Sequence, residues 1–198
     1  MGHLKTKLIG ISGTNGSGKD SVGNILEADY GFLFISVTDI LRRELVSHNM
    51  ETSRFNMRHL SSQWRKQYGL GVLVDKAQQI YESAGKNYQG LAISSLRNFG
   101  EADSVHQHKG IVLWLDADPK IRYQRIQSRG GIRQVDDNKS YEDFLSDEAA
   151  EMYRPDLKDK TTLSLAEVKD RADVFLINEF SDFDHLSQAL ADAINHVA

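Results

Sequence analysis

Gly13-Thr14-Asn15-Gly16-Ser17-Gly18-Lys19-Asp20-Ser21 follows the apolar run Leu8-Ile9-Gly10-Ile11 and precedes a segment with apolar residues at Val22, Ile25 and Leu26. A strand, a glycine-rich turn and a helix in that order make a phosphate cradle, because the turn's N–H groups and the helix's positive end converge on an anion. Gly13 and Gly18 let the main chain adopt conformations that a Cβ would oppose and approach the anion closely. Lys19 adds a mobile positive charge suited to the β- and γ-phosphates of a nucleotide. An ordinary turn would explain the glycines but not Gly18-Lys19 at the helix entrance. Against the pattern G-x-x-x-x-G-K-[ST], Asp20 stands where a Mg²⁺-binding hydroxyl is usual, and Ser21 brings the hydroxyl one position later. The stretch predicts an ATP site built from Gly13, Asn15, Gly16, Ser17, Gly18, Lys19, Asp20 and Ser21, with Ser21 and Asp20 on the metal side.

Outward from this loop, strand-like runs bounded by turn residues recur at 7–12, 32–36, 89–94, 110–116 and 173–178. Helix-length segments lie between them, which is the β-α-β alternation of a parallel sheet with helices on both faces. Ile111-Val112-Leu113-Trp114-Leu115 fits a strand buried on both faces. The expected fold is therefore a three-layer α/β/α arrangement around a five-stranded parallel sheet. Ser36-Val37-Thr38-Asp39 offers capping side chains ahead of Ile40, Leu41, Leu45 and Val46, which recur at helical spacing. The interval 47–86 carries helical patterns at 53–68 and 72–83, split by Gly69-Leu70-Gly71. That is too much helix for a crossover, and it predicts a helical cover, inserted at about 38–86, over one side of the sheet's carboxyl edge. Asp118-Pro119 supplies a cap and a first-turn proline for a helix running on through 121–128, which Gly130-Gly131 stops. The polar stretch 131–140 reads as a loop before a helix carrying Tyr141, Phe144 and Leu145. A short helix at 165–171 and an amphipathic helix at 183–197 complete the pattern.

The chain has 198 residues, enough for one well-filled α/β domain and too few for two ordinary ones, so a single domain over 1–198 is expected. No apolar run approaches the ~20 residues that cross a bilayer, so no membrane association is expected. The absence of cysteine excludes a disulfide framework and a thiolate metal site and fits a reducing, cytoplasmic setting. A net charge of −4 argues against a nucleic-acid polymer as partner, while arginines gathered at one site can still hold a phosphorylated small molecule.

The arginines are placed for that task. Arg42 and Arg43 lie one turn into the helix after the second strand, and Arg97 lies just past the third. Ligands bind at the carboxyl edge of a parallel sheet, so Arg42 and Arg97 should face the crevice that holds Lys19. Arg122 and Arg125 on a helix read first as solvated or salt-bridged; Arg129 and Arg133 flank a glycine hinge, a more informative setting. Among the carboxylates, Asp39 reads equally as a helix N-cap or a ligand contact, Asp116 ends a strand within reach of a metal, and Asp118 reads as a cap. His106 and His108 read as a surface turn. Trp64 and Trp114 read as packing residues, with Trp64 also able to face a base.

GTNGSGKDS resembles the G-x-x-G-x-G-K-x-[ST] loop of P-loop nucleoside-monophosphate kinases, and its Lys-Asp-Ser form is similar to that of phage deoxynucleoside-monophosphate kinases. Thr38-Asp39-Ile40-Leu41-Arg42 resembles the G-D-[LM]-[LI]-R segment of adenylate kinases, which implies that Arg42 binds the acceptor phosphate with Asp39 beside it. Ser94-Ser95-Leu96-Arg97 is similar to the D-G-[FI]-[PR] segment of adenylate kinases and their archaeal relatives, implying the same role for Arg97. Ser94 replaces that segment's aspartate, which leaves Asp20 or Asp116 to supply the carboxylate behind Mg²⁺. The stretch 114–133 resembles the strand, helix and arginine-bearing lid of the group, implying a lid near 129–141 with Arg129 and Arg133 in it. Ala172-Asp173-Val174-Phe175-Leu176-Ile177-Asn178 resembles the A-D-x-[VI]-I-x-N strand of dephospho-CoA kinases, implying that Asn178 lies near the ATP base. The resemblance covers most of the chain, and the order of its motifs is more specific than any one of them.

It implies Mg²⁺-dependent transfer of the ATP γ-phosphate to a small phosphorylated acceptor, a nucleoside or deoxynucleoside monophosphate in the first instance. Lys19, Arg97, Arg129 and Arg133 would be catalytic, and Asp39, Arg42 and Arg97 would hold the acceptor. Dephospho-CoA is a second acceptor, motivated by the strand ending at Asn178 and by the size of the helical cover. A nucleotide-binding switch or assembly factor with weak transfer is a third reading, supported by Ser94. No oligomeric state is legible.

Overall fold

The computed structural model describes residues 4–85, 87–128, 139–154, 156 and 158–195. The apolar run before the phosphate loop forms β1 (Leu8–Gly13), all six of whose residues are buried. It lies between β3 (Gly90–Ser94) and β4 (Ile111–Asp116), parallel to both. β2 (Phe32–Ser36) flanks β3 and β5 (Val174–Ile177) flanks β4, giving a five-stranded parallel sheet in the order β2-β3-β1-β4-β5. Every strand starts and stops within one residue of its expected position. Between β3 and β4 the chain crosses from one side of β1 to the other, so the carboxyl ends of these strands border the crevice where such sheets bind ligands.

Alternate strand residues serve opposite faces, as the pleat dictates. Ile9, Ile11, Leu113 and Leu115 pack with Val22, Ile25 and Leu26 of α1 (Lys19–Tyr30) and with Leu186, Leu190 and Ile194 of α9 (Phe183–Asn195). Leu8, Leu91, Ile93 and Val112 pack on the other face, beneath α2 (Val37–Ser47), α4 (Val72–Ser83), α5 (Phe99–Gln107) and α8 (Leu165–Lys169). Each such aliphatic side chain taken from water contributes roughly 1.5–3 kcal/mol.

The expected helical cover is formed by α2, α3 (Arg54–Tyr68) and α4. Ser53 opens α3 by accepting a hydrogen bond from the Asn56 N–H, and Gly69 closes it at φ 101°. α6 (Pro119–Ser128) begins as its proline suggests, with Asp118 accepting from the Lys120 N–H, and α7 (Tyr141–Met152) is capped by Ser140, which accepts from the Asp143 N–H. Most of the expected lid, with Arg129 and Arg133, lies outside the described residues.

Two local expectations change. Ser36, not Asp39, occupies the N-cap of α2, because the helix starts directly at the end of β2 and leaves Asp39 in its first turn. His106 belongs to the last turn of α5, with Nε2 2.9 Å from Asp173 Oδ2, and His108 follows as the C-cap. Trp64 and Trp114 are both buried in the packing, as expected. No helix among the described residues is long and apolar enough to cross a membrane.

Candidate functional site

The backbone of the phosphate loop dictates its glycines. Gly13 ends β1 at φ +141°, where an added Cβ would collide with the carbonyl oxygen of Leu115 on β4. Gly18 is the N-cap of α1 at φ 96°, and no side chain caps the helix. Its first-turn N–H groups are therefore directed at the loop rather than spent on a capping residue. Lys19 folds over the loop: Nζ donates to the carbonyls of Gly13 (3.0 Å) and Thr14 (2.5 Å). Exchanging these neutral acceptors for a phosphate oxygen replaces ordinary hydrogen bonds by charge-assisted ones, which are roughly twice as strong.

Two residues far away in sequence hold the loop's shape. The Asn178 side-chain amide donates to the Ser17 carbonyl at 2.8 Å, and its backbone N–H to Asp116 O at 2.7 Å. Asn178 is buried, and its amide meets the loop itself. Arg125 ties this corner down by donating to the carbonyls of Asn178 and Phe180.

Of the two readings of Arg122, solvated or salt-bridged, the structure takes the second: it is 2% exposed and ion-paired. Its Nε donates to Ala117 O at 2.8 Å, its Nη1 to Asn15 O at 3.3 Å, and both terminal nitrogens bind the Glu148 carboxylate on α7. The tight turn from β4 into α6 puts the helix's first turn under the phosphate loop, and α7 then covers the guanidinium. Asp116 Oδ1 joins the same cluster, accepting from Thr14 Oγ1 (2.8 Å) and from the Ala117 N–H (2.9 Å).

Ser21 is half-buried in the first turn of α1, and Asp20 beside it is exposed. Among the described residues no group of three His, Asp or Glu could hold a metal ion. Mg²⁺ nevertheless fits, because it takes few protein ligands and draws the rest from phosphates and water. Ser94 supports that fit: its hydroxyl is fully buried at the end of β3 with no hydrogen-bond partner, the sort of group that a metal-bound water satisfies.

Beside the loop lies a cleft of ≈ 560 Å³ whose lining runs from Asn15 past Val37, Leu41 and Arg42 of α2, along Arg54, Met57 and Arg58 of α3, to Arg97. Arg42 is paired with Asp39, one turn earlier on its own helix. Arg97 Nη1 and Arg58 Nη2 both donate to Glu151 on α7, at 2.6 and 2.7 Å. Burial pushes the Glu151 carboxyl up, but the charge of Arg97 and the hydrogen bond and charge of Arg58, with Arg54 behind them, outweigh it and hold the group below the ordinary carboxylate range.

The backbone beneath Arg97 is fixed independently. Glu101 Oε2 accepts from the N–H groups of Arg97 (2.7 Å) and Asn98 (3.1 Å), while Oε1 accepts from Arg65 Nη2 (2.6 Å). Glu101 and Arg65 are both buried. The structure thus brings Lys19, Arg42 and Arg97 to one edge of the sheet, as expected. It adds Arg54, Arg58, Arg65, Glu148 and Glu151, which the sequence reading missed. The recurrence of arginine at 54, 58 and 65, on one helical face, was the available signal for the first three.

Comparison with known proteins agrees with this geometry. The AAA_18 family, described as an AAA domain, matches residues 9–154. A UPF0200 protein of Pyrobaculum aerophilum is 24% identical over 189 residues, covering 94% of this chain and 96% of its own. A UPF0200 protein of Methanococcus maripaludis is 23% identical over 182 residues, covering 91% and 92%. Shikimate kinase from Acinetobacter baumannii, solved in complex with shikimate, superposes with a TM-score of 0.55 at 17% identity, over 95% of this chain and 92% of that one. The structural likeness establishes a P-loop kinase fold.

Proposed function

The chain belongs to the AAA_18 family, and from that premise we propose that it transfers the γ-phosphate of ATP, with Mg²⁺, to a small phosphorylated acceptor, foremost a nucleoside or deoxynucleoside monophosphate. One observation carries the proposal: a cleft lined with arginines opens beside the phosphate loop, sharing Asn15 with it, so a second anionic molecule fits next to the triphosphate. Phosphoryl transfer asks little covalent chemistry of a protein and depends on alignment and charge stabilisation. Lys19 and the loop amides hold the β- and γ-phosphates, and Ser21 holds the metal ion, with Asp116 and Asp20 as the nearby carboxylates. Bound there, the ion neutralises charge on the β- and γ-phosphates.

Arg42 and Arg97 hold the acceptor, with Asp39 fixing Arg42. An acceptor oxygen then bonds to the γ-phosphorus as the bond to the β–γ bridging oxygen breaks and ADP leaves. Arg129 and Arg133, outside the described residues, are assigned to the transferring group by the resemblance alone. A cytoplasmic setting supplies ATP and suits a chain without cysteine. The ≈ 560 Å³ cleft has room for more than a mononucleotide, which favours dephospho-CoA as the second reading.

The test is ADP release from ATP and Mg²⁺ across nucleoside monophosphates, deoxynucleoside monophosphates and dephospho-CoA. One acceptor should raise the rate well above background, and Arg97→Ala should suppress it. Tight ATP binding with no acceptor-dependent ADP would replace the enzyme with a nucleotide-binding switch.

A further inference from the structure

Arg58 reaches the cleft from α3 and Arg97 from the turn after β3, and both end on one carboxylate. Arg58 Nη2 is 2.7 Å from Glu151 Oε1, and Arg97 Nη1 is 2.6 Å from Oε2. The partners lie 93 and 54 positions from Glu151, so tertiary structure alone brings them together. The Glu151 side chain is 9% exposed, against 48% for Arg58 and 32% for Arg97, which leaves the two guanidinium groups as the accessible members of the cluster.

Glu101 and Glu151 differ in what they do. Glu101, in its buried pair with Arg65, also accepts two backbone N–H groups and so fixes the turn after β3. Among the described residues Glu151 spends its hydrogen bonds on Arg58 and Arg97 alone. Burying a carboxylate is costly, and here the burial supports no backbone. It holds two cations on a single pair of oxygens, in the wall of a cleft beside a phosphate cradle. Guanidinium forks that fit a carboxylate also fit a phosphate, and a dianion attracts the pair more strongly than a monoanion does.

Resting on the phosphotransferase reading, we propose that Arg58 and Arg97 form the subsite for the acceptor's phosphate, and that Glu151 is its internal stand-in, displaced when a phosphomonoester dianion enters. The preferred ligand class is then a terminal phosphate monoester. A phosphodiester, with a single charge, gains too little to displace Glu151, and so does an acceptor without phosphate. Arg58 becomes a binding residue, and Glu151 sets the threshold of charge that an acceptor must carry.

Inorganic phosphate, titrated calorimetrically into the full chain carrying Lys19→Ala, tests this with the loop's mobile cation removed. Adding Glu151→Gln, which keeps the shape and removes the competing charge, should tighten phosphate binding by roughly tenfold or more. Adding Arg58→Ala as well should abolish that gain. Phosphate binding that is unchanged or weaker with Glu151→Gln, or a gain that survives Arg58→Ala, overturns the proposal. With Glu151 in place, amide hydrogen exchange across α7 of the Lys19→Ala chain should rise at saturating phosphate, and unchanged exchange overturns it equally. Neither measurement involves ATP or transfer. A chain that phosphorylates no acceptor yet passes both keeps the subsite and loses the reaction; one that phosphorylates an acceptor yet fails both does the reverse.

Discussion

The side-chain amide of Asn178 donates to the carbonyl oxygen of Ser17 at 2.8 Å, joining residues 161 positions apart. Removing it with Asn178→Ala leaves a buried carbonyl of the phosphate loop unsatisfied, a loss of about 1–3 kcal/mol. The expected outcome is a lower midpoint in thermal unfolding together with weaker ATP binding by titration. A variant that melts like the parent and binds ATP equally well would show that the loop holds its shape unaided.

Lys19 behaves differently, because its side chain is only half-buried, so water can take its place on the Gly13 and Thr14 carbonyls. Lys19→Ala should leave thermal stability almost unchanged while lowering turnover by roughly 10²–10³, the scale for losing one preorganised charge-stabilising donor. Steady-state kinetics beside a thermal melt separates the two effects. A large fall in stability would instead make Lys19 a structural strut.

Arg122→Leu removes the cation that Glu148, Asn15 and Asp116 share. A partly buried carboxylate left without its partner costs about 3–5 kcal/mol. Urea unfolding should show this, and the double variant Arg122→Leu, Glu148→Leu should recover part of it. Equal stability of Arg122→Leu and the parent would mean that α7 moves away without penalty.

The depressed carboxyl of Glu151 gives stability a pH signature. Its ordinary value is 4.5 and its folded value lies lower, so the unfolded chain takes up the proton first as pH falls. The stabilisation is complete above the unfolded value and is lost as pH drops through the folded one. Unfolding midpoints measured from about pH 6 down to about pH 3 should therefore fall less steeply in Glu151→Gln than in the parent. Parallel curves would show that the two arginines do not favour the ionised form.

The strands and the phosphate loop were legible because their signals are local. Each strand is a short apolar run fenced by turn residues, and the loop's chemistry is written in consecutive positions from Gly13 to Ser21. Arg42 and Arg97 were legible through their place after strand ends. α5 was not named, although Asn98 and Glu101 carry the spacing of the capping box that opens it. Arg122 and Glu151 could not be read in this way. Whether a helical arginine is solvated or buried, and whether a glutamate near the end of α7 meets a cleft or water, depends on how α7 docks. No local pattern encodes that.

β1 occupies the middle of the sheet, and both of its neighbours are made much later, beginning at Gly90 and Ile111. A ribosome delivers the phosphate loop before either neighbour of the strand that carries it. Pairings this distant in sequence are slow to form and leave apolar segments waiting. β5 and Asn178 come later still. A ribosome stalled before Asn178 would hold every residue of the phosphate loop and lack the amide that braces it.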